Sequence, residues 1–513
     1  MSGRRVSTAA IVGLMAVAAV LGGWGLGFGL PFDFRPDEEL FTGRAVQMAL
    51  EHSLDPHFYI YPPLGLYLFA LAEWLLGVVA PGQLGPATQV DPTAEYLATR
   101  LVSVVAFAAT AGLVGLAGRA AYGALAGSIA AATFAVAPLA VQNAHFGRVD
   151  ILALAFMALA MWAGGRADSR AGWAVAGVAA GLAAGTKYTV GAVIVYLVVL
   201  LLHGTDRPAR LFALAGTSVV AFVAVFLPAG HPLQFVDGFR FLAGRSVQSY
   251  GLPIGLLYHP TVSLPAGLGL AAYGVTLVGI VVAFWRRSPT DRALLALVAA
   301  YLLLVGFSQE VFLRYALPLL PPLCLLAGRA FQPPAGRMHA RMAVLAALVL
   351  APSAAMSIQG DRLLTATDTR VEAAFWLLAN AAPGSELVLP NYWGEPFYDA
   401  EAIRTRPLHP LYLAGDALPD SFQLGRFSDR FVINRAVGTH CYQVYESGPP
   451  WQAPPPTVPA GATVVATFRP YSRAAPAGNV YDPLDSFYLP LAGFGNVDRP
   501  GPSIVITDGC APQ

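Results

Sequence analysis

Apolar runs recur along this chain and then stop. They occupy residues 8–30, 63–80, 97–117, 121–140, 151–165, 171–186, 189–203, 210–228, 265–285, 292–308, 314–330 and 341–358. A bilayer crossing takes about 20 mostly apolar residues in a helix, and several of these runs are shorter. Each is apolar on all sides, the pattern of helices packed among other helices. Charged residues make up only 12% of the 513, with 56% hydrophobic, whereas soluble domains carry about 25% charged. The chain reads as a polytopic α-helical membrane protein in contact with membrane lipids. Its net charge of +1 gives no electrostatic basis for nucleic-acid binding.

Loop charge sets the expected topology. Short cytoplasmic loops collect arginine, and the basic connections are Arg4/Arg5, Arg119, Arg166/Arg170, Arg207/Arg210, Arg286/Arg287/Arg292 and Arg337/Arg341. If all twelve runs crossed, the last five connections would face away from the first. If the 63–80 run does not cross, all six share the cytoplasmic face. Eleven spans are therefore expected in a membrane domain over residues 1–358. YPPLGLYLFALAEWLLGVVA (61–80) becomes an interfacial helix inside a first external loop, 31–96. Its Pro-Pro start and Tyr61, Tyr67 and Trp74 suit the membrane–water boundary. The N-terminal run, behind Arg4 and Arg5, reads as a retained first span, with cleavage as the alternative.

That parity places FDFRPDEEL, HSLDPHFYIYPP, QNAHFGRVD, GTKYTV, the 231–260 loop and SQEVFLRY on the face opposite the cytoplasm. The parity was chosen from arginines elsewhere, so the convergence is independent support. From residue 359 to 513 the texture changes. RVEAAFWLLANAAPGSELVL reads as an amphipathic helix, a turn and a strand, and RFVINR, ATVVATF and SIVITD read as strands. A small α/β domain outside the cytoplasm is expected. Cys441 and Cys510 would share an oxidising compartment, where a disulfide and two separate thiols are equal readings. Cys324 lies inside a span and reads as a core residue.

Several residues invite chemistry. Asp37 and Glu38 follow Pro36 beside a span, where they either solvate a helix end or act as proton acceptors. Asp150 opens a span, so it is either a helix cap or part of a site with Arg148, its possible ion-pair partner. His145 reads as a structural hydrogen-bonder or a site residue. Lys187, Arg240, Arg245 and Arg314 are cations on the external face, where positive charge needs a reason. Anionic lipid headgroups supply one; a bound phosphate supplies a sharper one. Arg314 also lies one helical turn from Glu310. A divalent ion near Asp37 and Asp150 is compatible with the residues, though no cofactor is demanded.

In order and spacing these segments resemble the C-type glycosyltransferases that use polyprenyl-phosphate sugars, specifically glycosyltransferase family 39, with its protein mannosyltransferases and aminoarabinose transferases. The segments are PDE (36–38), YPPLGLYL, PLAVQNAHFGRVDILALAF, GLAAGTKYTV, LRYALPLLPPLCLLAG and the tail stretch YDPLDSFYLPL. The resemblance implies the C-type fold and a sugar donor carried on polyprenyl phosphate. Glycan, lipid and protein acceptors stay open. It implies Asp37 as catalytic base with Glu38 as its partner. It also implies that Arg148 and Asp150 shape the site and that Lys187 and Arg314 hold the lipid phosphate. Beside these, Arg148, Tyr61, Tyr188, Arg240 and Arg245 are candidates from the residues themselves for the donor phosphate, and His57, His145, Glu310 and Tyr315 for shaping the site. Aminoarabinose transferases carry a lysine where this chain has Tyr61, which argues against an identical headgroup contact. The resemblance further implies inverting transfer on the periplasmic side of a bacterial-type inner membrane. The rival class is a secondary transporter, for which related halves and charges at span centres are expected; neither is visible here.

Overall fold

A computed structural model describes residues 2–30, 34–84, 92–245, 251–332, 339–382, 384–388, 432–433, 440–447, 456–473, 478–485 and 487–509. The apolar runs form helices because, away from water, a segment must pair its own backbone groups. In chain order the first helices are α1 (Ser2–Gly23), α2 (Glu38–Glu51), α3 (Leu64–Val79), α4 (Thr93–Tyr122), α5 (Ala124–Ala135), α6 (Pro138–Ala144), α7 (Val149–Gly164), α8 (Arg170–Ala184), α9 (Val193–Leu201) and α10 (Arg207–Phe226), of which α2 alone is not an apolar run. Among the described residues, four helical stretches are long and apolar enough to cross a membrane: Thr93–Tyr122, Arg207–Phe226, Pro289–Gly306 and Ala340–Leu377. Two bent pairs raise that to six, and five shorter apolar helices accompany them, α3 included.

Several runs that look continuous in sequence are broken: the 265–285 run turns by 119° at Gly269, and two further breaks trace to proline. The 121–140 run bends by 57° between α5 and α6, where Pro138 starts the second piece. The 314–330 run is a 3-10 helix, Leu313–Leu319, followed by an α-helix, Leu320–Ala330. Pro318, Pro321 and Pro322 withhold the N–H groups that a single continuous α-helix would use. Helices α4 and α5 pack backbone to backbone. A Cβ at Gly127 would lie 2.5 Å from both Arg119 N and Gly115 O, so only glycine lets the two backbones meet there.

In the C-terminal region, helix Thr369–Asn380 covers a five-stranded sheet. The strands are β1 (Glu386–Val388), β2 (Val432–Ile433), β3 (Cys441–Glu446), β4 (Thr463–Phe468) and β5 (Ile504–Asp508), in the order β2-β1-β3-β5-β4. β1 runs parallel to both its neighbours, while β3, β5 and β4 are antiparallel. Ala373, Ala374 and Leu377 of the helix close on Leu387, Val444, Ile504 and Ile506. Cys510 lies outside the described residues, and with it the Cys441–Cys510 expectation.

The tail does not keep to itself. Helix His339–Leu364 runs past the expected boundary at 358. Between β4 and β5 the chain returns to the membrane domain: Phe487, Leu489, Phe494 and Val497 pack with Phe28, Phe34, Phe146 and Leu363. That return carries two acids into the centre of the molecule.

Candidate active site

Asp37 stands at the N-cap of α2 in the left-handed region, φ 71°, an uncommon and strained conformation for a residue with a Cβ. Its side chain makes no cap bond to its own helix. It turns instead toward two buried arginines: Arg148 Nη2 donates to Oδ2 at 2.9 Å and Arg314 Nη2 at 3.1 Å. Both arginines are buried, at 1% and 6% exposed, while the aspartate is 27% exposed. Among the described residues Oδ1 accepts no hydrogen bond. The carboxylate is thus anchored by one oxygen and open at the other. Burial raises its pKa, but Arg148, Arg314 and Arg35 outweigh that and hold it below the ordinary carboxylate value.

Glu38 has a different task. Arg100 Nε and Nη2 grip its two oxygens at 2.8 Å each, and Gly147 N donates to Oε1 at 2.7 Å. A Cβ at Gly147 would lie 2.5 Å from Thr99 Oγ1, so glycine permits this approach. With both oxygens committed and no exposure, Glu38 ties α2 to α4 and to the turn before α7.

Asp150 occupies the first turn of α7, and the cap position is Arg148; the cap reading is corrected accordingly. Asp150 pairs with the Lys187 ammonium, and Arg148 Nε stands 4.0 Å from it. Arg148 therefore pairs first with Asp37 rather than with its near sequence neighbour. Lys187 also lies 5.4 Å from the Tyr315 ring, and Arg314 packs 3.9 Å above Phe312. Tyr61 sits edge-on to Phe41. Burial, reinforced by the Asp37 charge, pushes its phenol up to about 12.

Asp485, from the tail, completes the cluster. Its Oδ2 accepts from Arg35 Nη1 at 2.8 Å and Arg314 Nη1 at 2.7 Å, with Arg148 Nη1 at 3.9 Å. Asp482 accepts from Leu313 N at 2.8 Å, which places Arg314. Among the described residues, Arg148 Nε and Nη1 and Arg314 Nε are buried donors without an acceptor.

Other expected site residues stand apart. His57 is half exposed and pairs with Asp55, which also meets His231 at 3.2 Å and accepts from Tyr59 at 2.7 Å. His145 is buried, its ring nitrogens 2.8 and 2.9 Å from the carbonyls of Val141 and Trp24, a structural role. Tyr188 donates to Tyr59 O and packs on Phe239. Arg240 is exposed and pairs with Asp237, and the Arg245 side chain lies outside the described residues. Glu310 is buried; the carboxylates held by Arg314 are Asp37 and Asp485. Among the described residues, no group of three or more His, Cys, Asp or Glu is arranged to hold a metal ion.

Arg100, Asp482 and Asp485 join the site only in the folded structure. Arg100 was detectable as a charge inside the apolar run 97–117, which by itself marks a role. Asp482 and Asp485 were detectable as two scarce acids in an aromatic, proline-containing stretch.

Residues 93–230 match the family model of dolichyl-phosphate-mannose-protein mannosyltransferases. The fold is similar to the crystal structure of ArnT from Cupriavidus metallidurans bound to undecaprenyl phosphate. That match has a TM-score of 0.52 and 16% identity, and covers 85% of this chain and 93% of the other. The same protein in its apo state matches with a TM-score of 0.52 and 18% identity over 99% of this chain and all of the other. Among curated proteins, none matches the chain by sequence. The fold is that of the C-type membrane glycosyltransferases. With the mannosyltransferase match, the chain is a membrane glycosyltransferase similar to glycosyltransferase family 39.

Proposed function

We propose that this protein moves a sugar from a polyprenyl-phosphate carrier to an acceptor hydroxyl, with Asp37 as general base. The observation that carries the reading is the arrangement at Asp37: one oxygen held by Arg148 and Arg314, the other open at a partly exposed mouth. The acceptor O–H gives its proton to Oδ1 as its oxygen bonds to the anomeric carbon. The bond from that carbon to the phosphate oxygen breaks, its electron pair leaves with the lipid phosphate, and a single displacement inverts configuration. The buried N–H groups of Arg148 and Arg314 suit the charge that grows on the leaving phosphate. When the phosphate engages them, their hold on Asp37 weakens and its basicity rises. The ammonium of Lys187 is the next cation in the same cluster. The undecaprenyl phosphate bound to ArnT supports the choice of carrier. The acceptor is a glycan, lipid or protein hydroxyl. We place the site and the tail on the periplasmic side of a bacterial-type inner membrane, which rests on the arginine parity of the loops.

The test is transfer by purified protein in proteoliposomes supplied with undecaprenyl-phosphate mannose, glucose or aminoarabinose and a bacterial membrane extract. Asp37→Asn should slow release of undecaprenyl phosphate by about 10²–10⁴-fold. Equal rates would remove Asp37 as the base. Passage of a solute with no donor consumed would instead favour a transporter. A cysteine placed at Gln83 should label from the outer face, and labelling from the cytoplasmic face would overturn the placement.

A further inference from the structure

We infer that Asp485, supplied by the C-terminal tail, is a positioning residue for the transfer reaction: it holds Arg35 and Arg314 in place and keeps their charge from falling wholly on Asp37. The inference rests on the reading of Asp37 as the base.

One carboxylate oxygen of Asp485 receives Arg35 at 2.8 Å and Arg314 at 2.7 Å, and the side chain has no exposure. Arg314 is shared, its Nη1 given to Asp485 and its Nη2 to Asp37. That division fixes the plane of the guanidinium and therefore the oxygen of Asp37 that it occupies. Arg35 is directed to Asp485, although its charge is close enough to act on Asp37. Without Asp485, the described carboxylates nearest the three buried guanidiniums would be Asp37, Asp150 and Asp482.

The surrounding tail residues keep Asp485 in register. Asp482 accepts from Leu313 N and from Leu484 N at 3.1 Å, so the segment that neutralises Arg314 also holds the backbone of its neighbour. Phe487 lies 4.4 Å beneath the Arg35 guanidinium and edge-on to Phe28 and Phe146. One short stretch therefore meets the chain before α2, the turn before α7 and the start of the 3-10 helix. A plain strut would need the apolar contacts of Phe487 but not a buried acid between arginines, since an unpaired buried charge is costly.

The experiment is the pH profile of kcat/KM in proteoliposomes, using the undecaprenyl-phosphate sugar that wild type consumes among mannose, glucose and aminoarabinose. Asp485→Asn leaves extra positive charge around Asp37. It should move the acid limb to lower pH and reduce kcat about tenfold or more through a weaker, misdirected base. Asp485→Glu should restore the limb and most of kcat. An unmoved limb in Asp485→Asn overturns the inference, and so does a loss of kcat that Asp485→Glu leaves unrepaired. If Asp485→Asn does not fold, the Arg35→Gln/Asp485→Asn pair carries the test, because it removes one cation with the anion. A limb near the wild-type position then supports the inference, and a limb displaced to lower pH overturns it. Should Asp37→Asn match wild type, the base reading falls and the inference with it, an outcome distinct from the Asp485 results.

Discussion

Arg100 and Glu38 form a two-pronged ion pair, both bonds 2.8 Å long, at a place where neither side chain meets solvent. Arg100 Nη1 also donates to the carbonyls of Leu26 and Phe28. The pair thereby joins the end of the first apolar segment, the start of α2 and the body of α4. Asp37 is the residue immediately before this anchor, so its position depends on it.

Glu38→Gln should therefore act through folding. Breaking a buried pair from one side strands the other charge and costs about 3–5 kcal/mol, read as a lowered unfolding midpoint in detergent. Unchanged stability with lost transfer would return Glu38 to the chemistry.

Lys187 and Asp150 make a second buried pair, and here stability and activity should separate. Lys187→Met leaves Asp150 with Arg148 at 4.0 Å as its nearest cation and should destabilise by up to about 3–5 kcal/mol. Adding Asp150→Asn should recover much of that, because the uncompensated charge is gone. Transfer should stay low in the double variant if Lys187 serves the donor phosphate. Recovery of both together would make the pair purely structural.

Asp482 gives a pH signature. Burial and the neighbouring Asp485 push its carboxyl up to about 6, against an ordinary value of about 3.9. Between those two pH values the folded state binds more protons than the unfolded state, so this contribution to stability falls as pH rises through the window. The loss is on the order of 1–3 kcal/mol. Asp482→Asn mimics the protonated acid. The stability of wild type relative to the variant should fall between pH 4 and pH 6 and then level off. A difference that stays flat across this range would contradict the assignment.

Arg240 lies on an exposed pair and His57, half exposed, on a pair with the more covered Asp55; such pairs contribute about 0–1 kcal/mol. His57→Ala and Arg240→Ala should leave kcat and the unfolding midpoint near wild type. A large fall in kcat for either would mean that it reaches the donor when donor is bound.

Much of the molecule was legible because its signals are local. Apolar runs at scarce charge density specify helices whatever their neighbours are, and the helix-turn-strand reading of 370–389 needed only periodicity and a Pro-Gly turn. The residues Asp37, Arg148, Asp150, Lys187 and Arg314 stood out because a charge beside an apolar segment is expensive unless it has a partner. The same reasoning covers Arg100, a charge within the apolar run 97–117.

The sequence by itself determined which segments would be helical and which charged groups would need partners, since both follow from what each residue does in an apolar environment. Only the tertiary structure decided the pairing: Arg148 with Asp37 before Asp150, Arg314 with Asp485 and Asp37, Glu38 with Arg100. Pairing depends on which side chains the packed helices and the returning tail bring within about 3 Å of each other. No spacing along the chain encodes the return that carries Asp485 to Arg35.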